Sequence, residues 1–166
     1  MGNIALLGWM PVFLILALIY LAYIDWRTFQ LPNAITLPLI LSGLLFNGLS
    51  GQGLVSLQDS AIGLLLGYTS IWLINSLYRL MKKHDGMGMG DAKLLAALGA
   101  WLGWLALPSI LLMACLTGLI GGLIWLHWYA QNHRSAFPFG PFLSIAGIIE
   151  LLWPQTLQTF LLHRLA

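Results

Sequence analysis

Long apolar runs, interrupted by short clusters of Gly, Pro and charged residues, organise this chain. Such runs predict six helices over approximately 4–24, 35–50, 60–79, 91–106, 108–129 and 138–153. The second, fourth and sixth are short for a bilayer crossing, so they need protein neighbours or a thinned membrane around them. The tail "QTLQTFLLHRLA" after Pro154 either lies on the surface or extends the last span. No repeat or low-complexity tract divides the chain, which therefore reads as one domain over residues 1–166.

Composition turns these runs into membrane spans. Of 166 residues, 60% are hydrophobic and 7% charged, against roughly 25% charged in a soluble domain, and the mean hydropathy is +0.88. The expected fold is all-α, a polytopic membrane bundle of about six transmembrane helices in contact with the lipid bilayer. The first run has no Lys or Arg ahead of it and no small-residue cleavage pattern behind it, so it reads as a span and not as a removable signal. Arg27, Arg79, Lys82, Lys83, Lys93 and Arg134 fall in or beside the first, third and fifth loops, with Arg164 the exception. The positive-inside rule puts those loops in the cytoplasm and both termini outside. The net charge of +2 is spread over these loops, a topology signal and no nucleic-acid footprint.

A single cysteine, Cys115, excludes an internal disulfide and a paired-cysteine zinc site, and it reads as a small core residue. The sequence implies neither a metal nor a cofactor. Gly63 with Gly67, Gly99 with Gly103 and Gly118 with Gly122 form GxxxG pairs in successive spans, a spacing that lets helix backbones approach closely.

Two aspartates carry the candidate chemistry. Asp25 follows the first apolar run in "LAYIDWRTFQLPN", and Asp91 opens the fourth in "GMGDAKLLAALGAWLGW", so both are expected at the cytoplasmic edge. An ionisable side chain beside a span is costly and usually turned towards the bundle interior. Each also has a plain reading: Asp91 as the N-cap of helix four, Asp25 as the point where helix one leaves the membrane. The second fits poorly, because a carboxylate at a helix C-terminus opposes the macrodipole. Two carboxyl groups about 3 Å apart can share one proton, one activating water while the other polarises a scissile carbonyl. The opposed helix ends would then place that shared proton on Asp25. Gly88 and Gly90 permit tight backbone geometry beside such a pair, whereas "GMGMGDAK" lacks the ending of a phosphate-binding loop.

Gly88, Met89, Gly90 and Asp91 match the GxGD motif, and with Lys93 and the following "LLAALGAWLGW" the stretch resembles the type IV prepilin peptidases, which are membrane aspartic peptidases. "DWRTFQLPNAITLPLILSGLLFN" is similar to the segment that carries that family's first catalytic aspartate, and "FPFGPFL" to its late Pro-Gly loop. The resemblance covers roughly residues 20–145. It implies that Asp25 and Asp91 are the catalytic pair, supported by Gly88, Gly90 and Lys93. It further implies cleavage of the short basic leader of type IV prepilin-like or pseudopilin substrates, at the cytoplasmic face of a bacterial inner membrane. The extension with a cysteine pair, found in the family's long members and associated with methylation of the new N-terminus, is missing from the sequence, so a short form is expected, with methyl transfer absent or supplied by another protein. Asn33 stands where Asp is frequent in the family and reads as a turn residue after Pro32.

Asp59, His127 and Glu150 read as structural, while Asp85 is an acid on the cytoplasmic side that would attract a basic leader, offset by Lys82 and Lys83. Two other functions compete. A transporter or proton channel would relay through Asp25, Asp91 and Glu150, but relays spread their acids through the membrane depth and these two share an edge. A noncatalytic pilus or secretion assembly factor would tolerate loss of either aspartate.

Overall fold

The computed structural model describes residues 9–49, 53–82, 88–129 and 138–154. Among them are six α-helices: α1 (Trp9–Thr28), α2 (Asn33–Leu49), α3 (Leu57–Lys82), α4 (Met89–Leu102), α5 (Leu107–Tyr129) and α6 (Gly140–Leu152), with a 3-10 turn at Trp104–Ala106. Each expected span has its helix. Stretches of α1, α3 and the segment Trp104–Ile124 are long and apolar enough to cross a membrane, whereas α2 and α6 are shorter apolar helices. Lys83, Asp85, Arg134, Arg164 and the tail beyond Pro154 lie outside the described residues.

The bundle is built around α4. Its 14 residues make about 21 Å of helix, short of the roughly 30 Å hydrocarbon core, and from Asp91 to Trp101 only Lys93 is not fully buried. An all-apolar helix too short to cross the bilayer belongs inside the protein, and α2, α3 and α6 pack around this one. Its far end is therefore closed by protein groups. Asn47 donates to the carbonyls of Ala100 (2.9 Å) and Trp101 (3.2 Å) while its own oxygen accepts the Leu54 N–H (2.9 Å), and the Ser60 hydroxyl donates to Ala100 as well. Gly103, at φ 80, ends the helix three residues before the expected boundary. Gly103 is thus a stop signal and not the second half of a packing pair.

Small residues set the α3–α4 distance. A Cβ on Gly99 would run into the Gly63 backbone, and one on Gly67 would come within 2.6 Å of the Leu95 carbonyl oxygen. Substituting Gly99→Val must push the two helices apart, and overpacking at a site with no slack typically costs about 1–3 kcal/mol or more. A markedly lower melting temperature in detergent is expected; an unchanged one would show that the helices do not cross there. On α5, Gly118 and Gly121 receive the rings of Phe139 and Phe142, so the second partner is Gly121 where the GxxxG spacing predicts Gly122. Trp101 fills the space over Gly43, donates from Nε1 to the Leu39 carbonyl (2.9 Å) and stacks on Phe46.

Asp59 is structural, as expected. Its N–H donates to the Ser56 hydroxyl (3.1 Å), which donates back to its carboxylate (2.7 Å), a reciprocal cap on α3, and Trp104 Nε1 adds a third contact at 2.9 Å. Cys115 does not sit in the core: it is exposed on α5 among Leu112, Leu116 and Leu119. In a membrane protein the lipid-facing surface is as apolar as the interior, so an apolar neighbourhood in the sequence does not separate the two. His127 is exposed near the end of α5.

Candidate active site

Helix α1 buries a narrow stripe, Leu14, Leu18, Leu21 and Asp25, spaced so that all four lie on one helical face. The carboxylate is the last member of that stripe and is 5% exposed. Contrary to the expected boundary, α1 continues past Asp25 to Thr28, with the Asp25 carbonyl accepting the Phe29 N–H at 2.9 Å. Asp25 Oδ2 accepts the N–H of Gly140, the first residue of α6, at 3.0 Å. Asp25 thus lies inside the helix, with an amide donor on one oxygen. The ground for placing the shared proton there, that the residue follows the helix end, is gone.

Asp91 lies in the first turn of α4 and is 8% exposed. It is not the N-cap. That position belongs to Gly88, which has an extended backbone, and no side chain caps the helix. The Asp91 carboxyl is instead turned into the bundle, close enough to Asp25 for their charges to interact. Helix α6 packs against both α1 and α4 and brings its N-terminus to the same level.

The two motif glycines differ. A Cβ on Gly90 would sit 2.9 Å from Leu31 Cβ, so the loop after α1 rests directly on the helix start. One on Gly88 would meet only ordinary contacts at 3.9 Å, and its extended backbone is open to any residue. Lys93 turns from Asp91 towards α2, where its Nζ donates to Asn33 Oδ1 at 2.6 Å. Asn33 is therefore the first residue of α2 with a partner on α4, more than a turn residue.

Two residues went unnoticed in the sequence. Gly140 sits in the quoted "FPFGPFL" stretch, yet its contact with Asp25 spans 115 positions and nothing local announces it. Asn75 is a buried amide on α3 whose Nδ2 lies 3.9 Å from Met89 Sδ, at the level of the glycine turn; an Asn within a span was the available signal. Glu150 is buried with its carboxylate accepting from Ser109 (2.6 Å), ten residues and about 15 Å of helix along α6 from Gly140.

A family model described as the type IV leader peptidase family matches residues 12–123, a stretch that contains both aspartates. The chain belongs to the type IV leader peptidase family. Proteins named prepilin leader peptidase/N-methyltransferase are similar to it: that of Aeromonas hydrophila is 47% identical over 146 residues, covering 87% of this chain and 49% of the relative. The Dickeya chrysanthemi protein is 44% identical over 150 residues (90% and 52%), and the Pseudomonas aeruginosa protein 41% over 162 residues (96% and 52%). This leader peptidase family member spans about half the length of those relatives. No solved structure matches it significantly.

Proposed function

We propose that this chain is a membrane aspartic endopeptidase that removes the short basic leader from type IV prepilin-like or pseudopilin substrates, with Asp25 and Asp91 as its catalytic pair. The observation that carries this reading is two buried carboxyl groups on different helices, within electrostatic reach at one end of an apolar bundle. One carboxylate takes a proton from water as the water oxygen bonds to the scissile carbonyl carbon. The other, protonated, donates to the carbonyl oxygen. When the C–N bond breaks, the first carboxyl gives its proton to the leaving amine, a hydroxyl of the tetrahedral intermediate returns a proton to the second as the C=O re-forms, and the pair is left sharing one proton again. With Oδ2 of Asp25 held by Gly140, Oδ1 is the oxygen left for substrate or water.

Depth supports the substrate class. Arg27 and Lys93 lie close in sequence to the pair, which by the positive-inside rule supports a site at the cytoplasmic face, here that of a bacterial inner membrane. There a leader is reached just ahead of the hydrophobic segment that holds its substrate in the bilayer. A relay reading finds less support, because Glu150 is engaged by Ser109 well away from the pair.

The test is direct. The chain, purified and reconstituted in lipid, is mixed with a panel of prepilins, and the released leader is identified by mass. Specific cleavage ahead of the hydrophobic segment is expected, and failure on every prepilin of the panel would refute the reading. Because two carboxyl groups suffice for this chemistry, and because no three His, Cys, Asp or Glu side chains gather among the described residues, EDTA is expected to leave cleavage unchanged. Activity lost to chelator and restored by zinc would contradict it.

A further inference from the structure

Asp25 and Asp91 belong to helices that scarcely touch each other: α1 packs on α6, and α4 on α2, α3 and α6. A two-carboxylate mechanism nonetheless depends on their separation. Besides α6, which packs on both, the two helices are tied at this end by the short connection over residues 29–32, which leaves α1 directly after the Asp25 turn and enters α2 at Asn33. It opens on Phe29 at φ 54, a left-handed conformation that a bulky residue rarely adopts, so the chain is held in an unfavourable turn there. The turn carries the connection onto the start of α4. Two contacts are made: buried Leu31 lies against Gly90, where a Cβ could not fit, and Asn33 Oδ1 accepts from Lys93 Nζ at 2.6 Å. These contacts lie on either side of Asp91 in sequence. Side chains two apart on a helix point to different sides, so Lys93 serves Asn33 and not the carboxyl pair.

We infer that the Asn33–Lys93 hydrogen bond, with the Leu31–Gly90 contact beside it, is a clamp that fixes the spacing of the two aspartates, Asn33 and Lys93 acting as positioning residues. This rests on reading Asp25 and Asp91 as the catalytic pair. The bond joins an ammonium to an uncharged acceptor and is short, but Asn33 is exposed and Lys93 only partly buried, so water competes for both partners. A moderate effect follows. Asn33→Ala and Lys93→Met each lower kcat about tenfold, equivalent to about 1.4 kcal/mol, with KM within about twofold of wild type. The double variant falls no further than either single one. Asn33→Asp, whose carboxylate also accepts from the ammonium, recovers most of the loss.

The experiment measures kcat and KM for these four variants in lipid on a prepilin that the wild type cleaves, and records amide hydrogen exchange over residues 89–96. Exchange in that segment is expected to quicken in Asn33→Ala and to stay slow in Asn33→Asp. Additive losses in the double variant, an Asn33→Asp as impaired as Asn33→Ala, or a raised KM with intact kcat would each overturn the clamp, the last by making Lys93 a substrate contact. Exchange decides independently of cleavage. If the wild type cuts no prepilin, the peptidase reading fails, while quickened exchange in Asn33→Ala alone still supports the clamp and unchanged exchange overturns it.

Discussion

Asp25→Asn and Asp91→Asn are each expected to lower leader cleavage by about 10³-fold or more while leaving the fold intact. The size follows from the proposed chemistry: one carboxyl would take a proton from water as the other gives one to the carbonyl oxygen, and positioned acid–base groups each contribute about 10²–10⁴-fold. An amide can do neither. Asparagine is the informative replacement because of the contact at Gly140. Its side-chain oxygen can still accept the Gly140 N–H that Asp25 Oδ2 accepts at 3.0 Å, so the α1–α6 junction keeps its hydrogen bond. Alanine would leave that buried amide unpaired at a cost of about 1–3 kcal/mol, mixing a folding defect with a catalytic one. Initial rates on a reconstituted prepilin, beside melting curves in the same lipid, separate the two effects. If either Asn variant cleaves within tenfold of wild type, the pair is not the catalytic centre.

Gly140→Ala should be the most damaging change outside the aspartates, at roughly 10²-fold in kcat. A Cβ at this position would lie 2.6 Å from Asp25 Oδ2 and 2.9 Å from its Cγ, closer than real Cβ atoms approach anything. The carboxyl group cannot simply turn aside. It is 5% exposed, closes the buried stripe of α1 and is held by the very amide whose residue gains the methyl group, so either the rotamer changes or α6 retreats. A displacement of about 1 Å at a reacting group is enough for about 10²-fold. KM is expected to stay near wild type, because the change acts on a carboxyl proposed to serve the chemical step. A Gly140→Ala enzyme with normal kcat would show that Asp25 does not need this contact, and a collapsed melting temperature would assign the residue to folding instead.

Much of this arrangement was legible in the chain. An ionisable side chain beside a span is costly unless it turns inward, so the burial of Asp25 and Asp91 was to be expected from the chain. The Ala- and Gly-rich run after Asp91 has no polar face, which in a short helix means protein on all sides. Gly63 and Gly99 announced a close crossing and made one with each other. Other signals misled. Cys115 faces outward because lipid and protein core favour the same residues, and Gly103 has the packing spacing but serves a helix end.

The sequence by itself determined the membrane class, the order of six apolar helices, the resemblance to a peptidase family and the two aspartates worth suspecting. Those properties are local: hydropathy, spacing within a turn and short motifs are read over a few neighbouring residues. Only the tertiary structure decided that Asp25 stays within α1, that Gly140 from the last helix holds its carboxylate, and that Lys93 reaches back to Asn33. Each of these joins positions 60 or 115 apart or depends on what packs at a helix end. Such contacts have no periodicity to betray them, because they are set by how rigid helices cross.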